Sequence, residues 1–347
     1  MSSNIEKFQK ELISKIRNGN EDSVKSLIKK SNKNHVPLYI NRYVINENGS
    51  SVTCYPFLEV LANKNLEMIN LIINYADNHN LIINVNEKND DCETPILIAF
   101  QQCSLQKVKM LIDYSNKHNI VLNINDKNKI GYNPLLLIIN KIINNQSLNS
   151  LGMKMIKMLI DYADDHGIII NVNEKTEKGN NPLILAIIIN NIDILEMLIN
   201  YANHRNIVLN VNEKNENLNS PLSLAIINKN IEIIKMLINY ANQHNINLNI
   251  NERNVNNESP ILLAIKKEST EIVQMLMEYA DSRRIVLNVK DDDIKNTYKI
   301  KIGILKLLSN YVDSHGIPLN FNDSRLYSDY DNIKGIIVIL IFFNNNY

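Results

Sequence analysis

Apolar residues alternate between two patterns along most of this chain. Short runs that are apolar almost throughout, such as Pro221 to Ile227, are followed by longer stretches with apolar residues at helical spacing, as at Ile233, Ile234, Leu237, Ile238 and Ala241. The first pattern predicts a short buried helix. The second predicts a helix with one broad apolar face and Glu232, Lys235 and Asn239 on its wet side. Ser220 suits the N-cap and Pro221 the first helical position, where a missing N–H is no loss. Asn228-Lys229-Asn230 reads as the turn between the two helices.

The pair recurs on a ruler. Pro56, Pro95, Pro134, Pro182, Pro221 and Pro260 stand 39, 39, 48, 39 and 39 residues apart, and Tyr75, Tyr114, Tyr162, Tyr201, Tyr240 and Tyr279 keep the same steps. A fixed period predicts an all-α solenoid of stacked helix pairs, which offers a long surface rather than an enclosed pocket. The expected organisation is an N-terminal capping helix pair over 1–45, then repeats over 46–84, 85–123, 124–171, 172–210, 211–249 and 250–288. A degenerate repeat over 289–323 has lost its proline, and 324–347 reads as a half-repeat or tail, with Asp331 to Phe343 as an unfinished first helix. The third repeat carries nine extra residues around Asn144 to Ser150, read as a projecting polar loop.

Three elements of the unit resemble the ankyrin repeat. Thr94-Pro95-Ile96-Leu97-Ile98-Ala99 matches that family's T-P-L-H-x-A signature, with Ser or Asn replacing Thr in most other units. Ile272-Val273-Gln274-Met275-Leu276-Met277 is similar to its second helix, and Leu209-Asn210-Val211-Asn212-Glu213-Lys214-Asn215 to its connecting hairpin. The resemblance runs from about residue 8 to residue 323. It implies short β-hairpins between the helix pairs, with strand pairing near Asn210-Val211-Asn212 and its equivalents. It also implies a concave face, lined by first helices and hairpin tips, that binds other proteins.

Two departures stand out. The signature His is replaced by Leu97, Leu136, Ile184, Ser223 and Leu262, so helix packing must carry more of the stability. The unit is 39 residues long against the family's roughly 33. Tyr stands where the family's helix-ending Gly would be, and Asn80, Asn119, Gly167, Asn206, Asn245 and Gly316 follow five residues later. These residues tolerate the left-handed conformation that ends a helix, so the second helix should be about one turn longer and should reach the histidines four residues after each Tyr.

Charge narrows the function. Lys+Arg and Asp+Glu both number 37, which argues against nucleic acid, whose binding needs clustered positive charge. Three cysteines at unrepeated positions fit a reduced, intracellular and cytoplasmic setting. The polar N-terminus is no signal peptide, and the apolar run 335–343 is too short to cross a membrane. The abundance of Asn and Ile reads as AT-rich coding rather than chemistry.

Catalytic constellations are missing: no Gly-rich phosphate loop, no His-Glu-x-x-His, no Cys-x-x-Cys and no Gly-x-Ser-x-Gly. No cofactor or metal is expected. The column His79, His118, His166, His244 and His315 reads as cation-capable residues at helix C-termini rather than metal ligands, because neighbouring repeats are too far apart to share one ion. The expectation is a monomeric, non-catalytic scaffold for another protein. Its alternatives are a fragment of a larger protein whose activity lies elsewhere, or a small-molecule enzyme using the 141–150 segment. The exposed column of the first helices reads Ala62, Gln101, Asn140, Ile188, Ile227 and Lys266. The expected binding residues are Ile188 and Ile227, with Gln101 and Lys266, and the hairpin-tip charges Glu174, Lys175, Glu213 and Lys214. A solvated mixed-charge edge and simple drift toward Ile remain open readings of the same residues.

Overall fold

The computed structural model describes residues 2–47, 50–288 and 302–316. Two compact units result, Met1–Glu177 and Lys178–Tyr347. Each is a stack of antiparallel helix pairs.

The first unit begins with a pair formed by α1 (Ser2–Arg17) and α2 (Glu21–Lys33), turned at Gly19 with φ +67. A two-stranded antiparallel hairpin follows, β1 (Tyr43–Glu47) with β2 (Ser50–Cys54), and the division expected after residue 45 runs through it. Then come the inner and outer helices α3 (Pro56–Ala62) and α4 (Leu66–Asn78), α5 (Pro95–Gln101) and α6 (Leu105–Lys117), α7 (Pro134–Asn144) and α8 (Asn149–Asp165). The second unit holds α9 (Pro182–Ile188), α10 (Ile192–His204), α11 (Pro221–Ile227), α12 (Ile231–Gln243), α13 (Pro260–Lys266), α14 (Thr270–Ser282) and α15 (Ile302–His315). The degenerate repeat's first half and the 324–347 tail, with its helix expected at Asp331 to Phe343, lie outside the described residues.

Local chemistry explains the boundaries. Thr94, Asn133, Asn181, Ser220 and Ser259 cap their inner helices by accepting from the N–H three residues on, and the proline follows at once. Those inner helices bury nearly every side chain, while the outer helices bury one face, as at Ile233, Ile234, Leu237, Tyr240 and Ala241. The outer helices run through each repeat tyrosine to the predicted end. Asn80, Asn119, Gly167, Asn206, Asn245 and Gly316 all take the left-handed conformation, with φ between 52 and 64.

The insertion is not a projecting loop. Set against α9 and α10, it lengthens α7 and α8 by about one turn each, and the residues between them form a short 3₁₀ helix, Gln146–Leu148. Ile142 continues the apolar face of α7 and is buried, so helix extension removes more apolar surface from water than a loop would. Gly152 of α8 makes room for it: a Cβ there would lie 2.5 Å from Ile142 Cδ1.

Strand pairing near Asn210-Val211-Asn212 and its equivalents is also absent. Among the described residues, β1 and β2 form the one ladder. The connecting segments are instead fingers built of turns. Asn89, Asn215 and Asn254 each close a fingertip by accepting two backbone N–H groups on the side-chain oxygen, from Asp91 and Glu93, Asn217 and Asn219, Asn256 and Glu258.

Candidate functional site

Asparagine side chains stand in for the missing strand pairing. In the first unit Asn41 donates its amide to Ile82 O and accepts from Asn84 N, Asn86 does the same with Val121 O and Asn123 N, and Asn125 with Ile169 O and Asn171 N. In the second, Asn212 binds Asn247 O and Asn249 N, and Asn251 binds Val286 O and Asn288 N. All ten distances are 2.7–3.0 Å. A carboxamide offers the donor and acceptor of a peptide group, so each rung copies one strand pairing between adjacent repeats. These rungs occupy the backbone groups that a β-partner would use. Gln9 plays this part in the cap, holding Tyr39 O and N with its buried amide. Whatever the origin of the many asparagines, those at these positions have a structural part.

The tyrosine column is a second ladder. Tyr75, Tyr114 and Tyr162 in the first unit, and Tyr240, Tyr279 and Tyr311 in the second, accept on the phenolic oxygen from the buried N–H of Leu38, Ile83, Leu122, Leu209, Leu248 and Leu287. Burial pushes the Tyr114, Tyr240 and Tyr311 phenols up from their ordinary value. His79, His118, His166, His244 and His315 each pack on the tyrosine four residues before, with ring centroids 4.0–4.2 Å apart. Each Nε2 meets the preceding repeat, at Asn32, Asp77, Asn116, Asn203 or Asp281. The imidazoles are helix caps and inter-repeat links. Among the described residues no group of three His, Cys, Asp or Glu could hold a metal ion.

The fingertip charges engage one another. Lys88 pairs with Asp126 at 3.1 Å and Lys127 with Glu174 at 2.9 Å in the first unit, and Lys214 pairs with Glu252 in the second. Lys175 and Glu213 each hold an interaction of their own within the structure. The lysine of one finger thus meets the acid of the next. The sequence showed the charges but not this offset, which needs the fingers side by side.

On the inner helices Ile188 is 37% exposed, whereas Ile227 is half-buried. They close adjacent helices of the second unit, where Asn228 Nδ2 donates to Ile187 O at 2.7 Å. Lys266, the equivalent residue of α13, pairs with Glu258 at 2.8 Å. Burial alone would raise the Glu258 carboxyl, but hydrogen bonds from Lys266 and Asn254 hold it below its ordinary value. Gln101 belongs to the first unit, where it is exposed and lines a cleft of ≈ 580 Å³ with Tyr55, Leu58, Ala62, Ile98 and Lys141. Beside this cleft lies Lys107, a buried lysine where the other outer helices carry Met or Ile. It donates to Leu61 O and Asn63 O at 2.6 and 2.5 Å and to Gln102 Oε1, and desolvation lowers its pKa. Its only sequence signal was that break in the apolar pattern.

A family profile described as ankyrin repeats (3 copies) matches residues 146–251 and 206–291. The crystal structure of the ankyrin repeat domain of Bcl-3, described as a unique member of the IkappaB protein family, is 15% identical, with 77% of this chain and 97% of that chain covered and a TM-score of 0.50. No curated protein sequence matches. Residues 146–291 match ankyrin repeats, and the described helix pairs stack as in the fold that such repeats form. The matched family names no reaction. Among the described residues no helix is long and apolar enough to cross a membrane.

Proposed function

We propose that this chain is a non-catalytic scaffold that binds another protein through its inner helices and fingers. The observation that carries this is Ile188, a β-branched apolar side chain left 37% exposed at the end of a helix otherwise buried. Ile227 extends the patch onto the neighbouring helix, and Lys266, Glu213 and Lys214 lie in the same unit. Gln101, Glu174 and Lys175 belong to the first unit and would serve a contact there. Mutual pairing of the fingertip charges leaves them a larger part in steering an encounter than in affinity. In this reading the protein works as a monomer inside the cell. Its partner is a protein, since a net charge of zero favours no polyanion.

The test is the double variant Ile188→Asp with Ile227→Asp. Burial of such side chains against a partner is worth roughly 1.5–3 kcal/mol each. We expect the thermal midpoint to stay nearly unchanged while binding to a protein captured from native cells weakens at least tenfold. Unfolding of the variant would assign both residues to the core, and unchanged binding would move the contact elsewhere.

A further inference from the structure

The first unit holds a second candidate contact, which no motif marked. Its cleft has an apolar floor, Leu58, Ala62 and Ile98, and a wall formed by Tyr55, whose hydroxyl donates to Asp90 at 3.0 Å. Gln102 is fixed from both sides, donating to Ala62 O and accepting from Lys107. The Glu59 carboxylate is neutralised by Arg17, which donates through Nε and Nη2 at 2.7 and 2.5 Å. Two charges of opposite sign therefore remain on the lining, Glu93 and Lys141. Among the described residues Lys141 has no ion pair, and the Gln101 side chain beside it has no hydrogen bond. Glu93 holds one amide hydrogen bond, from Asn89 at 3.1 Å.

These charges stand at opposite ends of the inner helices. Glu93 lies just before Pro95, where α5 starts, whereas Lys141 follows Pro134 by seven residues and is level with the end of α5. Seven helical residues rise about 10 Å, the axial part of the separation between the two charges, and an extended chain covers that rise in about three residues. We propose that the cleft accepts an extended segment of a partner protein carrying a basic and an acidic side chain three positions apart, with an apolar residue between them. The base meets Glu93, the apolar side chain lies on Leu58, Ala62 and Ile98, and the acid meets Lys141 and the Gln101 amide. This rests on the scaffold reading and names the chemistry of one contact.

The probes are two fluorescein-labelled, end-capped peptides with lysine, leucine, alanine and glutamate in that order and in reverse, titrated by anisotropy against the full chain. One order is expected to bind saturably. Lys141→Glu should weaken that peptide at least tenfold, and replacing the peptide's glutamate by lysine should restore binding to this variant. Lys141→Gln serves as a second variant if melting shows that Lys141→Glu is poorly folded. No saturable binding by either order, or binding indifferent to residue 141, overturns the proposal. Ile188→Asp with Ile227→Asp should leave peptide binding intact, so failure of the cleft and failure of the Ile188 patch are separately visible.

Discussion

Leu218 sits at a fingertip with φ 55 and 46% of its surface exposed. The left-handed conformation costs an L-residue roughly 1–2 kcal/mol. At the equivalent places one and two repeats earlier the chain has Gly179 and Gly131, and one repeat later Asn257, all with positive φ. Leu218→Gly removes the clash between Cβ and carbonyl but adds freedom to the unfolded chain. The balance should stabilise the protein by about 0.5–1 kcal/mol. Urea denaturation with an unchanged m-value would register it, and a lower midpoint would show that the leucine holds its finger in place.

At the level of elements, the helices were legible and the links between repeats were not. Proline, cap residue and apolar spacing act within a few residues, so one sequence window displays them. The left-handed Asn and Gly residues could be placed for the same reason. The asparagine rungs could not, because their partners lie 35 to 46 residues away and the same residue also closes turns and caps helices. The insertion misled because its polar composition suggested a loop, while the buried Ile142 was the signal that α7 continues. A rung can be tested alone. Asn86→Ala frees Val121 O and Asn123 N, and two neutral hydrogen bonds contribute about 1–2 kcal/mol net. Hydrogen exchange should quicken at Asn123 N–H well before it does at Leu122 N–H, which Tyr162 still holds. Equal protection in the variant would mean that the rung is ornamental.

At the largest scale the two units are built alike: within each, side chains reaching for main chain join neighbouring repeats. Equal numbers of acidic and basic residues were visible in the composition, and their use was not, since ion pairs between neighbouring fingers depend on stacking. The candidate site was half legible. Ile188 is exposed as expected, while the cleft with Lys141 emerges only when three inner helices stand together.

The asparagine rungs also give this protein a shelf life. Asparagine is among the thermally labile residues, and its hydrolysis leaves aspartate. At Asn86 the new carboxylate would still accept from Asn123 N–H, but its other oxygen would face Val121 O, acceptor against acceptor. An aged sample should therefore lose stability in step with amide loss at rung positions, while hydrolysis at exposed asparagines away from the rungs stays silent. Peptide mass mapping set beside melting curves of heat-stored protein would show that link, and a melting point indifferent to rung hydrolysis would break it.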